Sequence, residues 1–263
     1  ESPPEYVLLL GDTGAIPTYT FQGNPTDLPY VLLDGDDFLP DAMLGRFPVE
    51  NLSQAQTMVA RTIAYERTPY TAEPAWFTKS LMVAGLTGST TPPYTVAYCG
   101  RQLQSIGFSA PTAITSPVPM PPLLGAQLIK QNIDLGASMV VYRGWAYGTG
   151  GWDPPTYTVN DIPALNNGWK LPVVMSFVCL TGDYTSSPAC FGEAFVRQGT
   201  PEAPGKGAVA FIGNGEHWSH TRYNDAMAIA VFERIPDNSL TDLGSLLDAG
   251  KLRFVDYFPD ELD

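Results

Sequence analysis

Basic residues are scarce: 14 Lys plus Arg stand against 27 Asp plus Glu in 263 residues, for a formal charge of -13 at pH 7. A chain this acidic has no electrostatic footprint for nucleic acid or anionic lipid, so neither is an expected partner. Long apolar runs are also missing. None reaches the ~18 residues needed to span a bilayer, and the first residues fit neither a signal nor a transit peptide. The apolar run at 6–10 already reads as a core strand, so the chain is expected to begin inside a longer precursor, with that precursor's other domains as partners. Only three cysteines occur, Cys99, Cys179 and Cys190. They form no disulfide framework, and the odd count leaves at least one thiol free unless it pairs between chains. Histidine is rarer still, His217 and His220 alone. Internal repeats and low-complexity segments are absent, and 25 Pro with 25 Gly fit long ordered loops rather than disorder.

What is present is alternation. The strand at 6–10 runs into Gly11-Asp12-Thr13-Gly14, which has neither a Gly-x-Gly-x-x-Gly nor a Gly-Lys-Ser continuation and meets Pro17 where a phosphate loop would start its helix. A short strand is predicted at 30–33, and an amphipathic helix at 53–67 with Asn51 or Ser53 as N-cap. The segment 69–74 then makes a boundary. Beyond it come strands at 79–86, 138–142, 171–179 and 208–212, and helices around 98–106, 123–135, 190–197 and 222–234. A Pro-rich loop falls at 117–122. Strands alternating with helices imply an α/β fold, mostly parallel sheets with helices on both faces, in two α/β units, 1–75 and 76–263.

Asp34, Asp36, Asp37 and Asp41 surround Gly35. Such carboxylates offer hard oxygen ligands for a structural calcium ion, although the spacing is not that of an EF-hand. The alternative is a solvated acidic turn in which Asp36 or Asp37 pairs with Arg46.

The stretch from Leu171 to Arg197 organises the rest. An apolar, β-branched run stops at Cys179 and gives way to Thr181-Gly182-Asp183, which places a thiol at the carboxyl end of a buried parallel strand, where open α/β sheets keep their chemistry. Cys99 and Cys190, on helices, are assigned to packing. A Cys179–Cys190 disulfide would abolish the nucleophile.

Several stretches, in their order, resemble the gingipain-type cysteine peptidases, a caspase-like α/β group. They are Tyr-Val-Leu-Leu-Leu-Gly-Asp from Tyr6, Asp-Gly-Asp-Asp-Phe-Leu-Pro-Asp from Asp34, Leu-Gly-Arg-Phe-Pro-Val from Leu44 and Ile-Ala-Tyr-Glu-Arg-Thr-Pro from Ile63. Val-Val-Tyr-Arg-Gly-Trp from Val140, Ser-Phe-Val-Cys-Leu-Thr-Gly-Asp-Tyr from Ser176, Cys-Phe-Gly-Glu-Ala from Cys190 and Gly-Ala-Val-Ala-Phe-Ile-Gly from Gly207 complete the set. The resemblance implies a bacterial secreted or cell-surface domain of two α/β subdomains, the first incomplete here, that cleaves peptide or protein substrates without a catalytic cofactor. It also implies that Cys179 is the nucleophile. The family's dyad histidine falls on Trp145, whose indole cannot accept or shuttle a proton. Its acidic partner falls near Leu86, and the arginine-selecting Asp near Pro92.

Three roles for Cys179 stay open. In the first, His220 serves as base from the segment after the next strand, with His217 beside it. Trp218 then lines the specificity pocket, Glu216 or Asp183 orients the imidazole, and the amides of Ala146 and Cys179 form the oxyanion hole. In the second, the domain has lost turnover and binds peptide or serves assembly, with Trp145, Tyr147 and Trp152 as a wall. In the third, Cys179 is a small buried residue and both histidines are loop residues satisfied by neighbours.

Overall fold

The computed structural model describes residues 4–116, 121–237, 240 and 242–260. Its centre is a five-stranded parallel sheet in the order β6-β5-β7-β10-β11. The strands are β5 (Ser80–Gly85), β6 (Thr112–Ser116), β7 (Met139–Arg143), β10 (Val173–Phe177) and β11 (Ala210–Gly213). Both faces of this sheet are covered. Leu81, Val83, Val140, Tyr142 and Val174 point to a core with α3 (Pro122–Asp134) and α4 (Phe191–Val196). Met82, Ala84, Val141, Val173 and Met175 point the other way, toward α2 (Pro92–Ser105), α5 (Thr221–Arg234) and α6 (Leu243–Tyr257). Neighbouring residues thus bury opposite faces, which is why these strands read as unbroken apolar runs rather than alternating ones.

A second, two-stranded parallel sheet pairs β1 (Tyr6–Leu10) with β4 (Met43–Phe47). Helix α1 (Leu52–Arg67), capped by the Asn51 side chain on the Gln54 amide, follows it. Between β1 and β4 lies an antiparallel hairpin of β2 (Tyr19–Phe21) and β3 (Asn24–Thr26), and a smaller hairpin of β8 (Gly151–Trp152) and β9 (Tyr157–Thr158) follows β7. Strands β5, β7, β10 and β11 and helices α1, α3, α4 and α5 emerge where the sequence puts them, within a few residues; α2 begins six residues earlier than expected, because Pro92 and Pro93 suit a first helical turn.

Three expectations are corrected. The segment at 30–33 is not a strand; Leu28–Val31 forms a 3-10 turn, since Pro29 fixes φ and supplies no ladder donor. Strand β1 is not buried throughout: Leu9 is buried while Tyr6, Leu8 and Leu10 are exposed, because among the described residues β1 pairs with β4 alone. Arg46 pairs neither with Asp36 nor with Asp37 but bidentately with Asp27, at 2.6 and 2.7 Å, and stacks over the Tyr184 ring. Of the predicted loop at 117–122, residues 117–120 lie outside the described residues.

Candidate active site

Cys179 follows the end of β10 and is half-buried. The chain turns sharply there. Leu180 adopts φ 63°, an uncommon left-handed conformation for a branched side chain. Its amide bonds the Glu216 carbonyl at 3.1 Å, and the Thr181 amide bonds the Cys179 carbonyl at 2.8 Å. Gly182 allows the closest approach: a Cβ there would lie 2.5 Å from the Gly213 carbonyl oxygen at the end of β11. The loop carrying Cys179 is therefore fastened to the segment 213–220, which carries both histidines.

That segment reaches the thiol through Ser219. Its hydroxyl donates to Cys179 Sγ at 3.1 Å, and Sγ in turn lies 3.5 Å from the Ser219 carbonyl. Asn224 Nδ2 donates to Ser219 Oγ at 2.9 Å. No imidazole is hydrogen-bonded to Cys179 among the described residues. His220 is exposed at the N-cap of α5, its ring edge-on to Tyr223 with centroids 6.2 Å apart. His217 is also exposed; its amide bonds Asn24 Oδ1 of the β2–β3 hairpin at 3.0 Å, and its ring lies against Trp218. Neither the Glu216 nor the Asp183 carboxylate is hydrogen-bonded to an imidazole among the described residues, and Asp183 Oδ1 accepts from Thr185.

Opposite stands the loop after β7. Trp145 is half-exposed, whereas its backbone is pinned: Tyr142 Oη donates to the Trp145 carbonyl at 2.7 Å and accepts from the Trp145 amide at 3.0 Å. Burial pushes the Tyr142 phenol far above its ordinary range, so it stays a neutral donor. Neither the Ala146 nor the Cys179 amide N–H has an acceptor among the hydrogen bonds of the described residues. Trp218 and Tyr147 are strongly exposed, while Trp152 is fully buried and stacks on Tyr142 at 4.5 Å, so Trp152 belongs to the core and not to a binding wall.

A buried ion pair, absent from the sequence-based expectations, ties the two rim segments together. Arg143, the last residue of β7, bonds Asp225 of α5 through Nε at 2.7 Å and the Gly144 and Thr221 carbonyls through Nη1 and Nη2. The Tyr-Arg-Gly run carried that signal, since a buried strand end with an Arg needs a carboxylate.

The remaining thiols are buried packing residues, and all three cysteines are free. Burial raises the Cys99 thiol and pushes Cys190 up to about 12. The acidic cluster does not converge. Asp34 caps Gly35, Asp37 caps Leu39, and Asp41 accepts from the Leu33 and Asp34 amides, which hold its carboxyl below the usual range. Among the described residues no three His, Cys, Asp or Glu side chains are grouped to hold a metal ion, Asp36 included. Two cavities of about 630 and 610 Å³ open elsewhere, one between the two sheets and one beside Arg197; Cys179 lines neither.

A parallel α/β sheet with a thiol just past a strand end fits the class of caspase-like cysteine peptidase domains. The family model described as peptidase family C25 matches residues 1–261, and the chain belongs to that family. It is 28% identical to gingipain R2 of Porphyromonas gingivalis over 96% of its length, and 26% identical to Lys-gingipain of the same organism over 92%. It spans about a third of the former and 14% of the latter. The crystal structure of the Arg-specific cysteine proteinase gingipain R superposes with a TM-score of 0.81 at 26% identity, covering 97% of this chain and 59% of that one. No helix among the described residues is long and apolar enough to cross a membrane.

Proposed function

We propose that this domain hydrolyses peptide bonds through Cys179, with His220 as the base. The observation that carries this reading is the 3.1 Å contact from Ser219 to Cys179 Sγ, because Ser219 immediately precedes His220 and so the histidine-bearing segment meets the thiol. To reach the sulfur, the His220 imidazole would leave its edge-on contact with the Tyr223 ring. The thiolate then attacks the scissile carbonyl carbon, and the imidazolium passes its proton to the leaving amine. Water, deprotonated by the same imidazole, releases the acid and regenerates the thiol. The free Ala146 and Cys179 amides are available to the oxyanion. With Pro92 where the family's arginine-selecting Asp falls, the substrates would not be chosen for Arg. The secreted or cell-surface setting of such a domain, its division near residue 75 and its place in a longer precursor belong to the same proposal.

One observation favours a second reading, peptide binding without turnover: Ser219, not an imidazole, touches the thiol, in keeping with the resemblance that puts Trp145 at the dyad-histidine position. A peptidyl acyloxymethyl ketone decides between them. The enzyme reading expects a thioether on Cys179 that forms rapidly and is lost in His220→Ala; the binding reading expects peptide association with no covalent adduct.

A further inference from the structure

Ser219 does more than mark where the loop lies. Asn224, in the first turn of α5, is buried and directs Nδ2 at both Ser219 Oγ (2.9 Å) and the Ser219 carbonyl (3.4 Å). A carbonyl only accepts, so the amide nitrogen must face it, and that nitrogen only donates. Ser219 Oγ therefore accepts from Asn224, and its single proton is turned toward Cys179 Sγ at 3.1 Å. The thiol's own contact, to the Ser219 carbonyl, is the longer one at 3.5 Å. On ionisation the sulfur gives up the longer contact and keeps the shorter, which strengthens once its acceptor is charged. From this geometry we infer that Ser219, oriented by Asn224, is a positioning residue that favours the thiolate of Cys179. The inference rests on the reading of Cys179 as the nucleophile, yet its test needs no turnover.

The experiment is the pH–rate profile of iodoacetamide alkylation, with the label assigned to Cys179 by peptide mapping; Cys99 and Cys190 are buried. Ser219→Ala is expected to slow alkylation near pH 6.5 about tenfold, with rates converging on the wild type in strong alkali, where any thiol is ionised. Ser219→Thr, which keeps the hydroxyl, restores the profile. Asn224→Asp, which replaces the donor with an acceptor, draws the hydroxyl proton away from sulfur and slows alkylation at least as much as Ser219→Ala. Superimposed profiles for wild type and Ser219→Ala overturn the inference, whatever the Asn224 variant does. If the profiles separate but the wild type cleaves no peptide, the positioning role stands and the peptidase reading falls; if the wild type cleaves through Cys179 and the profiles coincide, the reverse holds.

Discussion

Arg143 Nε lies 2.7 Å from Asp225 Oδ1, and both side chains are largely removed from solvent. The same carboxylate accepts from Thr91 and Thr95 of the α2 start, so one buried pair joins β7, α2 and α5 beneath the rim. Removing one partner strands the other charge. Asp225→Ala is therefore expected to lose about 3–5 kcal/mol in urea denaturation, whereas a double replacement by apolar residues of similar volume loses less. Equal losses for the two would contradict the assignment.

Tyr142 holds the opposite loop. Its hydroxyl accepts from the Trp145 amide and shares its one proton between the Trp145 carbonyl at 2.7 Å and the Pro154 carbonyl at 3.0 Å. Tyr142→Phe leaves these groups unpartnered and is expected to cost about 1–3 kcal/mol. Hydrogen exchange should rise at the Trp145 amide, which bonds the Tyr142 hydroxyl, while the β10 amides keep their protection.

The fold was legible because the inner strands of the five-stranded sheet are buried on both faces and so read as continuous apolar runs. Cys179 was legible for the same reason: the apolar run stops at it. Strand β6 and helix α6 were not read. The first, Thr-Ala-Ile-Thr-Ser, is an edge strand with a single strongly apolar residue, and the second begins only at Leu243, beyond the last family motif. The rim contacts were hidden because Ser219, Asn224, Asp225 and Tyr142 are ordinary polar residues whose partners lie 3 to 134 positions away in the chain. Local periodicity carries no trace of such pairings.

Glu193, at the start of α4, accepts the Cys190 amide at 2.8 Å and the Arg197 guanidinium at 2.6 Å. Its burial outweighs both and raises it to about 7 from an ordinary 4.5. A folded-state value above the unfolded one means that the folded protein holds the proton more tightly. The stability this group contributes is thus complete below pH 4.5 and is lost as pH rises toward 7. Glu193→Gln should flatten that part of the stability–pH curve relative to wild type. Parallel curves for the two proteins would contradict the raised value.

Gly182 leaves no room for a side chain, since the nearest obstacles to a Cβ are the Gly213 carbonyl oxygen at 2.5 Å and its carbon at 2.7 Å. Backbone cannot rotate aside as a side chain can. Gly182→Ala is expected to cost about 1–3 kcal/mol and to lift the Cys179 loop from β11, seen as faster exchange at the Gly182 amide, which bonds the Asn214 carbonyl at 3.0 Å.

Cys179 and His220 are expected to break peptide bonds only together. Digestion of a proteome-derived peptide library, read by mass spectrometry, tests it most directly with three proteins: wild type, Cys179→Ala and His220→Ala. The wild type should cleave, Cys179→Ala should not, and His220→Ala should be slower by about 10²–10⁴, the usual worth of a general acid–base group. Cleavage that survives Cys179→Ala, an undiminished rate in His220→Ala, or a wild type that leaves the library intact would contradict it.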